Sequence, residues 1–129
     1  MDTSGRLRCL GVRGATVAQD NTAEAILGAT RELLRQMMTA NGFAQDDVAA
    51  AFFTTTPDLT ATFPARAARQ LGWASVAMLD GHEMDVPEGL PRCIRVLVLI
   101  NTTRTTDELV PVYLRGAELL RTPVELVED

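Results

Sequence analysis

Eight consecutive residues, Cys93-Ile94-Arg95-Val96-Leu97-Val98-Leu99-Ile100, form the most apolar run of the chain. The run is rich in β-branched residues and too short to span a membrane, which predicts a central β-strand. Arg95 lies inside it. An arginine side chain keeps its proton in a protein, so this strand carries a permanent charge into or beside the core. An unpaired charge there costs several kcal/mol. Arg95 therefore needs an anionic partner, which is either a carboxylate of the chain, such as Glu83, or a bound ligand.

Length and charge narrow the classes of chain that could hold such a strand. At 129 residues the sequence is expected to form one domain, residues 1–129, with a sizeable core. Aromatic residues make up only 5%, so that core must come from Leu, Val, Ile, Ala and Met. The net charge of −5 argues against nonspecific nucleic-acid binding, which wants a basic face. A local cluster of arginines can still reverse the field in one cleft and admit a small anion. Every basic residue is arginine. The absence of lysine excludes Schiff-base chemistry and the Walker-type phosphate loop. A lone histidine, His82, with Cys9 and Cys93 in separate segments cannot make a structural zinc site. Both cysteines read as reduced core residues. With no apolar signal region and no stretch approaching about 18 apolar residues, the expected location is the cytoplasm, away from any membrane.

Periodicity and turn signals give the order of elements. Residues 1–5 are polar and expected to fray. Leu7 to Val12 reads as a strand stopped by Arg13-Gly14. Asn21 and Glu24 have capping-box spacing, and Ile26, Leu27, Thr30, Leu33, Leu34, Met37 and Met38 then recur on one helical face. Asn41-Gly42 ends that helix. Val48 to Thr55 is a second strand, followed by a turn at Thr56-Pro57-Asp58. Pro64 to Leu71 is a short helix with proline at its first position, closed by Gly72. Ser75 to Leu79 is a third strand, 80–92 a loop, and the Arg95 strand follows. Thr105 and Glu108 predict a helix to about Leu114, in which Pro111 is awkward, so that a short, kinked or partly 3₁₀ helix is the alternative. Gly116 to Arg121 is a short last strand, and the acidic tail from Thr122 is expected to be mobile. The fold class is therefore α+β, a mixed β-sheet with helices on one side. So few helices leave edges and part of a face uncovered, for which oligomerisation is the common remedy.

Taken singly, the polar residues of interest have ordinary readings. Arg66 and Arg69, three apart on the short helix, and Arg121 near the end of the chain read as solvated arginines. Glu83 reads as an exposed loop carboxylate, and Tyr113 as a packing residue with its hydroxyl at the surface. Arg13 stands beside Gly14 at the end of a strand.

Taken together they form a pattern. The segments Gly11-Val12-Arg13-Gly14-Ala15-Thr16, Thr56-Pro57-Asp58-Leu59, Phe63-Pro64-Ala65-Arg66-Ala67-Ala68-Arg69, Glu83-Met84-Asp85-Val86, Gly89-Leu90, Cys93-Ile94-Arg95-Val96 and Val112-Tyr113-Leu114 occur in order. Each is weak alone, but the ordered set is specific. The chain resembles the monofunctional bacterial chorismate mutases of the AroH class, from about residue 7 to residue 121. The resemblance implies a homotrimer forming a pseudo-barrel, with active sites between adjacent subunits. It implies conversion of chorismate to prephenate, a step toward phenylalanine and tyrosine, by a [3,3] sigmatropic (Claisen) rearrangement with no cofactor and no metal.

The same resemblance assigns roles. Arg95 and Glu83 would be catalytic. Arg95 would face the breaking ether oxygen and the enolpyruvyl carboxylate, and Glu83 the ring hydroxyl. Arg13 and Tyr113 would hold that carboxylate. Phe63, Ala65, Met78, Leu79 and Leu120 would supply apolar walls. Arg66, Arg69 and Arg121 would form a patch at the mouth of the cleft for the ring carboxylate, the 63–69 segment coming from a neighbouring subunit. Asp80 stands where the family pattern calls for a small neutral residue such as cysteine or serine, and the contact there includes its backbone N–H. A carboxylate three residues from Glu83 is expected to pair with Arg13 or Arg95 in the empty site and to weaken binding of a dianion. His82 is expected to be an exposed loop histidine. The competing readings are an enamine or imine deaminase on a similar trimeric scaffold, a non-catalytic anion-binding module, and a purely structural trimer.

Overall fold

The apolar run forms the middle of a five-stranded mixed sheet. The computed structural model describes residues 5–87 and 89–121. In chain order its elements are β1 (Arg8–Val17), α1 (Ala23–Asn41), β2 (Val48–Thr55), α2 (Ala65–Gln70), β3 (Ala77–His82), β4 (Cys93–Thr102) and β5 (Val112–Tyr113). Single 3₁₀ segments lie at Gln45–Asp47, Thr106–Glu108 and Ala117–Arg121. The strands are ordered β3-β2-β4-β1-β5. β4 pairs antiparallel with β1 on one side and with β2 on the other. β3 lies parallel to β2, and β5 parallel to β1.

Alternation along β4 divides its apolar run between two faces. Ile94, Val96, Val98 and Ile100 are buried, whereas Arg95 and Leu97 are exposed. Val96, Val98 and Ile100 pack with Val12, Ala51 and Phe53 of the neighbouring strands and with Leu33, Leu34 and Met37 of α1 and Ala65 and Ala68 of α2, and Ile94 packs with Ala18, Ile26, Ala29 and Leu59. Both α-helices thus cover the same face, as the α+β reading expects. Neither covers the face that carries Arg95, Leu97 and Phe52. The charge in the apolar run therefore points away from the core.

α1 is held at both ends by local chemistry. The Thr22 hydroxyl oxygen accepts from Ala25 N–H at 3.1 Å. Gly42 takes the left-handed conformation at φ 63°. Asn21, the expected cap, instead fastens a distant loop: its Oδ1 accepts from Thr60 N–H at 2.9 Å and Ala61 N–H at 3.1 Å. β4 also starts from a fixed point. Arg92, at φ 50°, is pinned by its N–H to Asp58 Oδ2 and its Nε to the Ala18 carbonyl, both at 2.9 Å.

Several expectations are corrected. β1 runs through Arg13-Gly14 to Val17, because Gly14 is hydrogen-bonded strand beneath α1 rather than a turn. β3 begins at Ala77 and includes Asp80-Gly81-His82, which pair with Phe53, Thr54 and Thr55. The helix from Thr105 does not reach Leu114: the Thr105/Glu108 box closes one 3₁₀ turn, the short alternative. Val112-Tyr113, just past Pro111, pairs instead with Gly14-Ala15. The expected strand at 116–121 is 3₁₀ helix. Cys93 is buried, but Cys9 is exposed. The expected mobile tail from Thr122 lies outside the described residues.

Two measurements check this packing. A Cβ at Gly14 would overlap Met37 Sδ and press on Leu33 Cδ1 at 3.2 Å. Gly14→Ala is therefore expected to destabilise the fold by about 1–3 kcal/mol, read by denaturant unfolding. Burial pushes the Cys93 thiol up to about 11, so at neutral pH it should resist a thiol reagent and become reactive only on unfolding.

Candidate active site

The sheet register assembles a polar cluster on the face that the helices leave open. Thr54 is opposite Arg95, Arg95 opposite Ala15, and Ala15 opposite Tyr113, which makes one row across four strands. In the adjoining row Phe52 is opposite Leu97, and Leu97 opposite Arg13. Cross-strand partners share a face, so Arg13, Arg95 and Tyr113 converge over a floor of Phe52 and Leu97. Glu83 follows β3 directly. Its backbone N–H donates to the Thr55 carbonyl at 2.7 Å, which continues the pairing and aims the side chain back over the sheet. The Ala117–Arg121 segment brings in Leu120. These residues line a cleft of about 340 Å³.

The electrostatics of the cleft answer the question posed by Arg95. Its Nη1 lies 3.5 Å from Glu83 Oε2, with the two side chains 49% and 25% exposed. The Thr54 hydroxyl donates to the same Glu83 oxygen. The partner is thus a carboxylate of the chain. Yet the contact engages one nitrogen of a guanidinium that carries five N–H donors. Arg13 adds a second, exposed positive group. Such a cleft suits a small anion that has an apolar body and a hydroxyl for Glu83 to accept from. Among the described residues no three His, Cys, Asp or Glu side chains gather as a metal-holding group.

The remaining sequence-predicted site residues stand elsewhere. Phe63, Arg66 and Asp80 line a second cleft of about 370 Å³, with Leu59, Gly81 and His82. Phe63 is 64% exposed. Arg66 Nη1 donates to Thr62 Oγ1 at 3.1 Å, and Arg69 is exposed on the same helix. Leu79 is exposed on the open face, paired with Phe52. Ala65 is fully buried and Met78 packs against the core, so neither side chain is a wall of the Arg95 cleft. The Arg121 side chain lies outside the described residues.

Asp80 corrects another expectation. It pairs with neither Arg13 nor Arg95: its Oδ1 accepts from Ala65 N–H at 3.0 Å. Strand parity is the reason. Asp80 is registered with Phe53, which is buried on the helix-covered face, whereas the two arginines lie on the other. Burial raises the Asp80 carboxyl above its ordinary value, opposed by the Ala65 hydrogen bond and the charge of Arg69. His82 is exposed as expected, but it belongs to β3, with Nε2 3.2 Å from the Leu59 carbonyl oxygen. Sequence reasoning missed Thr54, Phe52, Ala15 and Leu97. The signal was available in alternation: once Arg95 and Thr54 are registered, residues two away on each strand share their face.

The chain is similar over most of its length to known proteins. A family model described as chorismate mutase type I matches residues 9–124. The chain is 50% identical over 116 residues to a chorismate mutase AroH of Thermus thermophilus, covering 89% of this chain and 95% of that one. It is 39% identical over 120 residues to a chorismate mutase AroH of Bacillus subtilis (strain 168), with 92% and 94% covered. A solved chorismate mutase from Clostridium thermocellum has a TM-score of 0.84 at 44% identity, covering 85% of this chain and 98% of that chain.

The half-exposed Arg95–Glu83 pair should contribute little to the fold. Arg95→Ala is expected to change unfolding free energy by no more than about 1 kcal/mol, measured by denaturant titration. A large loss would mean that the pair is structural.

Proposed function

This chain belongs to the chorismate mutase type I family and has chorismate mutase activity, and we propose that Arg95 and Glu83 are its catalytic pair. The observation that carries this assignment is the convergence of Arg13, Arg95, Glu83 and Tyr113 in one cleft over an apolar floor. Chorismate is a dianion with a breaking C–O ether bond, and it reacts from a compact conformer. Holding that conformer is a positioning task. Arg13 and Tyr113 take the enolpyruvyl carboxylate. Glu83, oriented by Thr54, accepts from the ring hydroxyl and stands where positive character develops on the ring. Arg95 offers its remaining donors to the ether oxygen, where negative charge grows. That interaction is stronger in the transition state than in the ground state and so lowers the barrier. The product, prephenate, leads toward phenylalanine and tyrosine.

Magnitudes fit this division. A rate gain of about 10⁶-fold needs about 8 kcal/mol. One preorganised donor to a developing oxyanion supplies about 3–4 kcal/mol, and conformer selection can supply the rest. No feature of the cleft favours a deaminase or a non-catalytic module.

The proposal includes a homotrimer with sites between subunits, in which Phe63, Arg66 and Arg69 of one chain complete the Arg95 cleft of the next. Two observations support it. The expected site residues are divided between two clefts of one chain. Phe52, Leu79 and Leu97 remain exposed on a sheet face that neither α-helix covers, and association would bury them. No helix among the described residues is long and apolar enough to cross a membrane. A cytoplasmic location belongs to the proposal and accords with the unpaired thiols of Cys9 and Cys93.

Arg95→Lys should lose at least about 100-fold in kcat, because an ammonium cannot reproduce the planar fork, followed by the loss of chorismate diene absorbance. Near-normal turnover would sink the role given to Arg95. Co-expression offers an independent check on shared sites. Arg95→Ala chains mixed with Arg66→Glu/Arg69→Glu chains should regain activity at about a quarter of the sites, whereas sites confined to one chain would regain none.

A further inference from the structure

Asp80 is a carboxylate that the rearrangement does not use, yet it sits at the border of the second cleft, where the mouth arginines begin. Helix α2 has the helical backbone of Pro64 at its start but no side-chain cap of its own. The first N–H groups of a helix have no partner inside it. The structure answers this from another element: Asp80 on β3 accepts from the N–H of Ala65, the first residue of α2, at 3.0 Å. Ala65 itself is fully buried, so this N–H has no solvent to turn to. The next residue is Arg66, and Arg69 follows one turn on. Asp80 also lies close enough to Arg69 for the two charges to interact.

We propose that Asp80 is a positioning residue, a cap supplied by β3 that holds the first turn of α2 and so fixes Arg66 and Arg69 for the carboxylate of the incoming dianion. This rests on the reading that α2 completes a neighbouring active site. It also reverses the expectation drawn from charge alone, that a carboxylate here only opposes the substrate. The hydrogen bond and the charge act in opposite directions, and isosteric substitution separates them. Asparagine keeps an Oδ1 acceptor and removes the charge. Alanine removes both.

The test compares Asp80→Ala and Asp80→Asn in the full-length protein by two readouts. Without chorismate, amide hydrogen exchange over residues 65–68 should quicken in Asp80→Ala and stay near the wild-type rate in Asp80→Asn. With chorismate, Asp80→Ala should raise KM about fivefold, the scale of a lost cap, with the larger share of the loss in KM rather than kcat. Asp80→Asn should bring KM back to the wild-type value or below it. Equal exchange and equal KM in the two variants would overturn the proposal, as would an Asp80→Asn protein that exchanges and binds as poorly as Asp80→Ala. Should Asp80→Ala not fold, Asp80→Asn alone decides: faster exchange at 65–68 with a raised KM overturns the proposal, and wild-type exchange supports it. Exchange that follows the capping pattern while KM stays at the wild-type value in both variants would overturn the role in fixing Arg66 and Arg69, leaving only a structural cap, whereas a failed co-expression rescue would remove the shared-site reading instead.

Discussion

The antiparallel register of β4 between β1 and β2 is the constraint on which the rest of the structure depends. A strand shows alternate residues to opposite faces, so a slip by one residue would exchange the two sets. Ile94, Val96, Val98 and Ile100 must face the helices to close the core. Each such side chain contributes about 1.5–3 kcal/mol when buried, while a half-exposed ion pair contributes about 0–1 kcal/mol. The apolar set therefore sets the register. Arg95, one residue out of phase, is carried to the open face as a consequence. The chemistry of the cleft inherits its geometry from the core.

That placement explains how the protein tolerates a charge in an otherwise apolar strand. Arg95 is half-exposed beside Glu83, and Thr54 donates to Glu83 from the neighbouring strand. Neither charge suffers full desolvation, and each remains able to turn toward a ligand. Three strands and the residue just after β3 supply the four groups, so their separations are set by sheet hydrogen bonds rather than by loop conformation. Groups held this way need little reorganisation when charge develops between them.

The second cleft is built by a different device. The segment from Thr56 to Ala65 contains little regular structure, but it is fastened at several points. Asn21 holds Thr60 and Ala61 from the start of α1, His82 reaches the Leu59 carbonyl, and Asp80 holds Ala65. Side-chain hydrogen bonds from two separate places, the start of α1 and β3, do for this loop what the ladder does for the sheet. They present Phe63 and Arg66 to solvent in a defined arrangement.

Much of this was legible in the sequence. The apolar run of β4, the helical face from Ile26 to Met37 and the Asn41-Gly42 stop are local patterns, and local patterns follow from backbone sterics and burial. The ordered set of motifs around Arg13, Phe63, Glu83, Arg95 and Tyr113 pointed to the family by resemblance, and its polar members suit recognition of a carboxylate or a hydroxyl. What failed depended on partners distant along the chain. Gly14 reads as a breaker until α1 lies against it. Val112-Tyr113 reads as helix until β1 offers its edge. Asp80 reads as a neighbour of Glu83 until parity sends it to the opposite face. Residue types and spacings are properties of the chain alone, and they determined the locally patterned elements and the chemistry available. Which face each side chain meets is a property of strand pairing and packing, and only the tertiary structure decided that.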